Sequence, residues 1–224
     1  MFKTVLAFAL TISSLACGKF QNDSQLDVIV GENDLSYYLE DDRISASIGH
    51  LSLGCTGTHI GEGLILTAGH CITDSSCEDE KYDILWNFRK NNPKGELKSQ
   101  CIEIIASDNH FSADYAILKY DTHPEQFIEI ANSSELRFGE ALTIFSHPNH
   151  RALSWSNWCE YLGPLDDSLY RMSYKCDTES GSSGAVILNE NLEIIGVHNL
   201  GIWSRKINGG TFISEIPELK GRSK

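Results

Sequence analysis

The sequence predicts an all-β fold, an antiparallel barrel or sandwich assembled from short strands. Two observations predict it. Runs rich in β-branched and aromatic residues recur along the chain, most of them bounded by Gly, Asn, Asp, Pro or Ser. No helix-length amphipathic pattern clearly interrupts them. A length of 224 residues suits one all-β domain or two small lobes sharing an interface.

Val28-Ile29-Val30 is the first apolar, β-branched patch after the N-terminal segment. Strands are then expected at Ile44–Leu51, Leu64–Ala68, Ile84–Phe88, Cys101–Ala106 and Tyr115–Tyr120. A second group follows at Ala141–Phe145, Leu169–Tyr174, Ala185–Leu188, Leu192–Val197 and Gly210–Ile213. Asn189-Glu190-Asn191 reads as a hairpin connection, which sets Ala185–Leu188 beside Ile194–Val197 and brings Ser183 and His198 to one end of that hairpin. Pro, Asn, Ser and charged residues collect in Asp121–Phe138, where the boundary between lobes 28–125 and 126–224 is expected. Glu215–Lys220 is a candidate short terminal helix, with Pro217 against it.

Lys3, the apolar run Val5–Ile12 and the small residues before Cys17 read as an export signal over residues 1–16. Residues 17–27 are polar and read as a propeptide or tether. Ser14-Leu15-Ala16-Cys17-Gly18 resembles a bacterial lipoprotein processing box, although Ser14 stands where a large aliphatic residue is usual. Lipidation of Cys17 and plain removal of the signal both account for the odd member of seven cysteines. Lipid on Cys17 is the sole membrane attachment expected. The other six, Cys55, Cys71, Cys77, Cys101, Cys159 and Cys176, fit an exported, oxidised protein. A formal net charge of -13 disfavours a general nucleic-acid binder, because phosphate recognition rests on basic surface.

Three local patterns carry chemistry. Leu66-Thr67-Ala68-Gly69-His70-Cys71 sets a histidine at a strand end, where one ring nitrogen is free to act as a base. Cys55, on the preceding strand-like segment, is the natural disulfide partner of Cys71. Asp114 directly precedes the apolar run Tyr115-Ala116-Ile117-Leu118, where a carboxylate is able to fix a histidine tautomer. Gly181-Ser182-Ser183-Gly184 offers a nucleophilic hydroxyl on Ser183, with the Gly181 and Ser183 N–H groups as oxyanion donors. Each pattern alone is more often a turn, a cap or a surface side chain; their order and contexts together reverse that reading.

With those residues in view the sequence resembles the chymotrypsin-like serine peptidases over Val28–Leu219. The resemblance implies two six-stranded antiparallel β-barrels, with His70 as base, Asp114 as its orienting acid and Ser183 as nucleophile. It implies protein or peptide substrates and neither cofactor nor metal; a monomer is expected. Ser182 stands where trypsin-like enzymes carry an aspartate, so an activation salt bridge to that position is not available.

Val28–Asp34, Cys55–Gly61, Asp177-Thr178 and Ile195-Gly196-Val197-His198-Asn199 look more specifically like the bacterial glutamyl endopeptidases. Val186 and Ala185 depart from that subgroup's usual proline and serine. By this resemblance Thr178, His198 and the α-amino group of a cleaved Val28 would receive a substrate carboxylate, and Asn199-Leu200-Gly201 would wall the cleft. Asp177 points the other way, towards a basic side chain, since its position resembles the pocket aspartate of trypsin. Cleavage after Glu, then Asp, is the favoured reading; trypsin-like or mixed specificity and an inactive protease-like binding module are the alternatives. Pairings Cys159–Cys176 and Cys77–Cys101 complete the expectation.

Overall fold

The computed structural model describes residues 24–25, 27–77, 79–110, 113–132 and 136–222. The export signal, Cys17 and most of the tether lie outside the described residues.

Two short N-terminal strands, β1 (Ser24–Gln25) and β2 (Ser36–Tyr37), precede a one-turn helix, Arg43–Ser47. The helix replaces the first half of the strand expected at Ile44–Leu51. Asp42 caps it by accepting from Ser45 N–H, and the Ser45 hydroxyl answers on the Asp42 backbone, a reciprocal capping box.

A first sheet then forms from β3 (Ile48–Leu51), β4 (Thr56–His59), β5 (Leu64–Thr67), β6 (Ile84–Trp86), β7 (Leu97–Ser99), β8 (Cys101–His110) and β9 (Ala113–Tyr120). Its order is β7-β6-β3-β4-β5-β9-β8, and its two end strands do not pair. The second sheet holds β10 (Ala141–Ser146), β11 (Ser154–Trp155), β12 (Cys159–Pro164), β13 (Arg171–Tyr174), β14 (Val186–Leu188), β15 (Ile194–Ile202) and β16 (Ile207–Phe212), joined by β1 and β2. Within it β10-β12-β13-β16-β15-β14 closes on itself, because β14 pairs with both β10 and β15.

The expectation of two six-stranded barrels is therefore corrected. One six-stranded antiparallel barrel closes; the other lobe is an open half-barrel of seven strands. The reason lies in the chain at the seam. Only Gln100 separates β7 from β8, and antiparallel neighbours need a hairpin loop of two residues or more to reverse direction. The three-residue β7 and the ten-residue β8 therefore follow one another without pairing.

Alternation along the strands divides the core. On β9, Ala116, Leu118 and Tyr120 face the interior of the first lobe, with Ile65, Tyr82 and Trp86. Tyr115 and Ile117 face the opposite way, into a cluster shared with Phe145, Val186, Leu188 and Val197 of the barrel. On β14, Ile187 turns into the barrel interior beside Met172 and Tyr174. A strand with both faces buried reads as a continuous apolar run, which is why β9 and β14 stand out in the sequence. The predicted hairpin forms, with Val186 opposite Val197 and Ile187 opposite Gly196. The C-terminal segment makes 3₁₀ turns at Ile213–Glu215 and Pro217–Leu219 instead of a helix, Pro217 serving as a first-turn residue.

Histidines also populate the interface between lobes. His147, fully buried and stacked on Phe88, has its pKa lowered to about 3, because burial disfavours the imidazolium. His50, whose Nε2 lies 3.2 Å from His150 Nδ1, is lowered to about 4 by burial and then by the neighbouring His150. Both folded values lie below the unfolded value of about 6.5, so the unfolded chain binds the extra protons. This contribution is complete above about pH 6.5 and is lost as pH falls towards 4 and 3, at up to about 1.4 kcal/mol per pH unit for each ring. Urea midpoints recorded from pH 7 to 4 should fall along that slope, and His147→Asn should make the fall shallower.

Candidate active site

His70 sits in a 3₁₀ turn, Gly69–Cys71, directly after β5. The turn is pinned from below by the Cys55–Cys71 disulfide. Asp114 lies at the start of β9 and holds His70 twice: Oδ1 accepts from the His70 backbone N–H at 2.9 Å, and Oδ2 lies 2.7 Å from Nδ1. A carboxylate on Nδ1 puts the proton there and leaves Nε2 as the basic nitrogen. His70 Nε2 is buried without a hydrogen-bond partner, and so is Ser183 Oγ.

Ser183 comes from the other lobe, in the loop before β14. Gly184 makes the close approach possible. At φ +86°, a Cβ there would stand 2.1 Å from Thr67 Oγ1 and 2.3 Å from Thr56 O, so the loop packs straight onto the start of β4 and the end of β5, just before His70. Backbone bonds flank the nucleophile: Ser182 N–H donates to Glu179 O at 2.9 Å and Gly184 N–H to His198 O at 2.8 Å. Among the described residues, no acceptor takes the Gly181 N–H or the intervening Ser183 N–H. The Ser182 hydroxyl is spent on Ser146 Oγ at the end of β10, at 3.0 Å, and on Glu179 N–H within the loop, at 3.2 Å.

Two polar clamps join the lobes around these groups, and no local pattern marks Thr56 or Thr211 for that role. Thr56 N–H donates to Ser183 O at 2.9 Å, its hydroxyl donates to Gly181 O at 2.8 Å and accepts from His147 N–H at 3.0 Å. On the other side Asn199 Nδ2 donates to Asp114 O at 2.7 Å and to Thr211 Oγ1 at 2.8 Å, and Thr211 Oγ1 accepts from Asp114 N–H at 3.3 Å. Thr56 and Thr211 lie far apart in sequence, and only their contacts across the seam reveal this role; Tyr174 and Asn208 act within the barrel, on His198 and Val28.

The predicted pocket residues separate into two groups. His198, fully buried on β15, has Nδ1 2.6 Å from Tyr174 OH and 3.1 Å from Gly209 O, and Nε2 3.1 Å from Asp27 Oδ1. Thr178 lies next to it through Val28: the Val28 N–H reaches Thr178 Oγ1 at 3.3 Å and Asn208 Oδ1 at 2.9 Å. Asp177 is tied elsewhere. Its carboxylate accepts from Val30 N–H at 2.6 Å and Asp34 N–H at 2.7 Å, anchoring the N-terminal segment. Burial raises its pKa, and those two N–H bonds oppose the rise.

The described residues hold three disulfides, Cys55–Cys71, Cys77–Cys101 and Cys159–Cys176. Cys55, His70 and Cys71 are close enough to suggest a metal site, but both sulfurs are bonded to each other and offer no thiolate.

A closed barrel packed on a second antiparallel sheet, with a carboxylate-held histidine and a serine loop meeting at their seam, is the chymotrypsin-like serine protease arrangement. The trypsin-like peptidase domain model matches residues 55–197, more than half of the chain, and the chain belongs to that family. It is similar to a glutamyl endopeptidase of Staphylococcus epidermidis, 24% identical over 175 residues that cover 72% of this chain and 58% of that protein. A glutamyl endopeptidase of Bacillus licheniformis is 25% identical over 191 residues, covering 77% and 58%. The chain thus spans little more than half the length of these curated relatives. Among solved structures, a Glu endopeptidase in complex with MPD superposes with a TM-score of 0.66 at 24% identity, covering 83% of this chain and 93% of that one. The VesB protease of Vibrio cholerae gives a TM-score of 0.65 at 16% identity, covering 84% and 66%.

Thr56→Val keeps the shape and removes the hydroxyl, leaving Gly181 O and His147 N–H without that partner. It should lower stability by about 1–3 kcal/mol, read as a drop in the urea midpoint at pH 7 with the slope unchanged.

Proposed function

We propose that this chain is an exported serine endopeptidase that cleaves peptide bonds after acidic residues through an acyl-enzyme. The observation that carries the chemistry is the His70–Asp114 pair at 2.7 Å, with His70 Nε2 and Ser183 Oγ left buried and unpartnered beside the packed seam. In this reading His70 Nε2 takes the Ser183 proton as Oγ attacks the substrate carbonyl, forming a C–O bond and placing negative charge on the former carbonyl oxygen. The Gly181 and Ser183 N–H groups receive that oxyanion. Collapse breaks the C–N bond, His70 passes its proton to the leaving amine, and water then hydrolyses the ester by the same route. Asp114 keeps the ring oriented and balances its charge.

Specificity rests on His198. Tyr174 OH donates to Gly209 O at 2.9 Å, so its oxygen lone pairs face His198 Nδ1. Nδ1 is thereby a donor, and an anionic acceptor at Nε2 requires a donor there as well. A ring donating from both nitrogens is a cation, suited to a carboxylate and unsuited to Lys or Arg. Asp177, whose carboxylate is engaged by two backbone N–H groups, gives no support to the trypsin-like alternative. The three disulfides support an oxidising, extracytoplasmic location.

A fluorophosphonate probe should add its mass to Ser183 in the folded protein and should leave Ser183→Ala untouched. A folded sample in which Ser183 stays unlabelled would refute the nucleophile assignment. In a peptide-library digest the active protein should cut after Glu and, more slowly, after Asp. His198→Gln should lower kcat/KM for Glu substrates by about 10- to 100-fold, the loss of a charged hydrogen bond, while Gln substrates change little.

A further inference from the structure

The subsite described above is already filled by the chain itself. β1 pairs antiparallel with β15, Ser24 opposite Ile202 and Gln25 opposite Gly201. Two residues later Asp27 presents Oδ1 to His198 Nε2 at 3.1 Å, its side chain only 8% exposed. Gly201 permits the passage: a Cβ at that position would stand 2.8 Å from Asp27 N and 2.8 Å from Asp27 C. Val28 then closes the segment against the pocket wall. Its carbonyl accepts from Asn208 Nδ2 at 2.6 Å and from Thr178 N–H at 3.2 Å. Strand addition to β15 and carboxylate binding at His198 are the two contacts that an extended acidic peptide would require. Ser24 and Gln25 make the first of these contacts and Asp27 makes the second.

We propose that Asp27 is an intramolecular ligand of the His198 subsite, and that the chain carrying Asp27 joined to Val28 is latent towards acidic peptides. The inference rests on the reading of His198 as an acid-recognising group. A tethered ligand competes at an effective concentration on the order of millimolar, so an incoming peptide of ordinary affinity is displaced. The subsite opens when water is added across the Asp27–Val28 amide by a peptidase, leaving a carboxylate on Asp27 and an ammonium group on Val28. The freed Asp27 segment then loses its tether. The Val28 ammonium remains beside Thr178 Oγ1 and Asn208 Oδ1, adding positive charge next to His198.

The test uses the full chain in a Ser183→Ala background, in which self-cleavage is blocked and intact mass confirms that the bond between residues 27 and 28 is whole. Calorimetric titration with a tetrapeptide ending in Glu, and with its Gln counterpart, is compared with and without Asp27→Ala. At least tenfold tighter binding of the Glu peptide after Asp27→Ala, without a matching gain for the Gln peptide, is expected. Asp27→Asn, which preserves side-chain volume, should give the same gain and so guards against a packing effect. Equal affinity of all three proteins for the Glu peptide, with Glu still preferred over Gln, would overturn the intramolecular ligand while leaving the acidic subsite standing. Absence of any preference for Glu over Gln in Asp27→Ala would overturn both.

Discussion

The seam between the barrel and the half-barrel is held by hydrogen bonds that cross it, and everything at the site depends on that crossing. Ser183 belongs to one lobe; His70 and Asp114 belong to the other. Thr56 grips the serine loop through Ser183 O and Gly181 O, while Asn199 grips the backbone of Asp114. Each clamp reaches a residue adjacent to, or identical with, one of the proposed catalytic groups. A shift of one lobe against the other would break these bonds inside a buried region, where unpaired polar groups are costly. The apolar cluster of Ile117, Val186 and Val197 supplies attraction between the lobes, but without direction. The polar clamps supply the registry.

A second network organises the proposed pocket. Tyr174, Gly209 and Asn208 lie on paired strands of the closed barrel, so their positions are set by its ladder. Tyr174 and Gly209 fix the His198 ring from behind and leave Nε2 facing Asp27, while Asn208 holds Val28. Closure of this barrel therefore matters more to the pocket than closure of its partner. The open lobe contributes His70 from the end of β5 and Asp114 from the start of β9, two strands paired at the sheet's interior. Its unpaired edges, β7 and β8, lie at the far margins of the strand order.

The N-terminal segment links both networks. Asp177 holds it through Val30 and Asp34, Thr178 and Asn208 hold Val28, and β1 continues it along β15. Three consecutive residues before the serine loop, Cys176, Asp177 and Thr178, thus have different partners in one small volume: Cys159, the Val30 and Asp34 amides, and Val28. A substitution meant to probe pocket charge at Asp177 would act first on the path of this segment.

By itself the sequence determined the β class, the hairpin before His198 and the triad candidates, because period-two apolar runs and residues at strand ends leave local marks. His70, Asp114 and Ser183 were legible through their flanking motifs, and the Cys55–Cys71 pairing through the place of Cys55 on the preceding strand-like segment. Only the tertiary structure decided that one barrel closes and the other stays open, since a single residue between β7 and β8 prevents their pairing. It alone engaged Asp177 with the Val30 and Asp34 amides, brought Thr56 and Thr211 into service, and set Asp27 on His198. Those outcomes depend on contacts between positions as many as 171 residues apart, which no local pattern records.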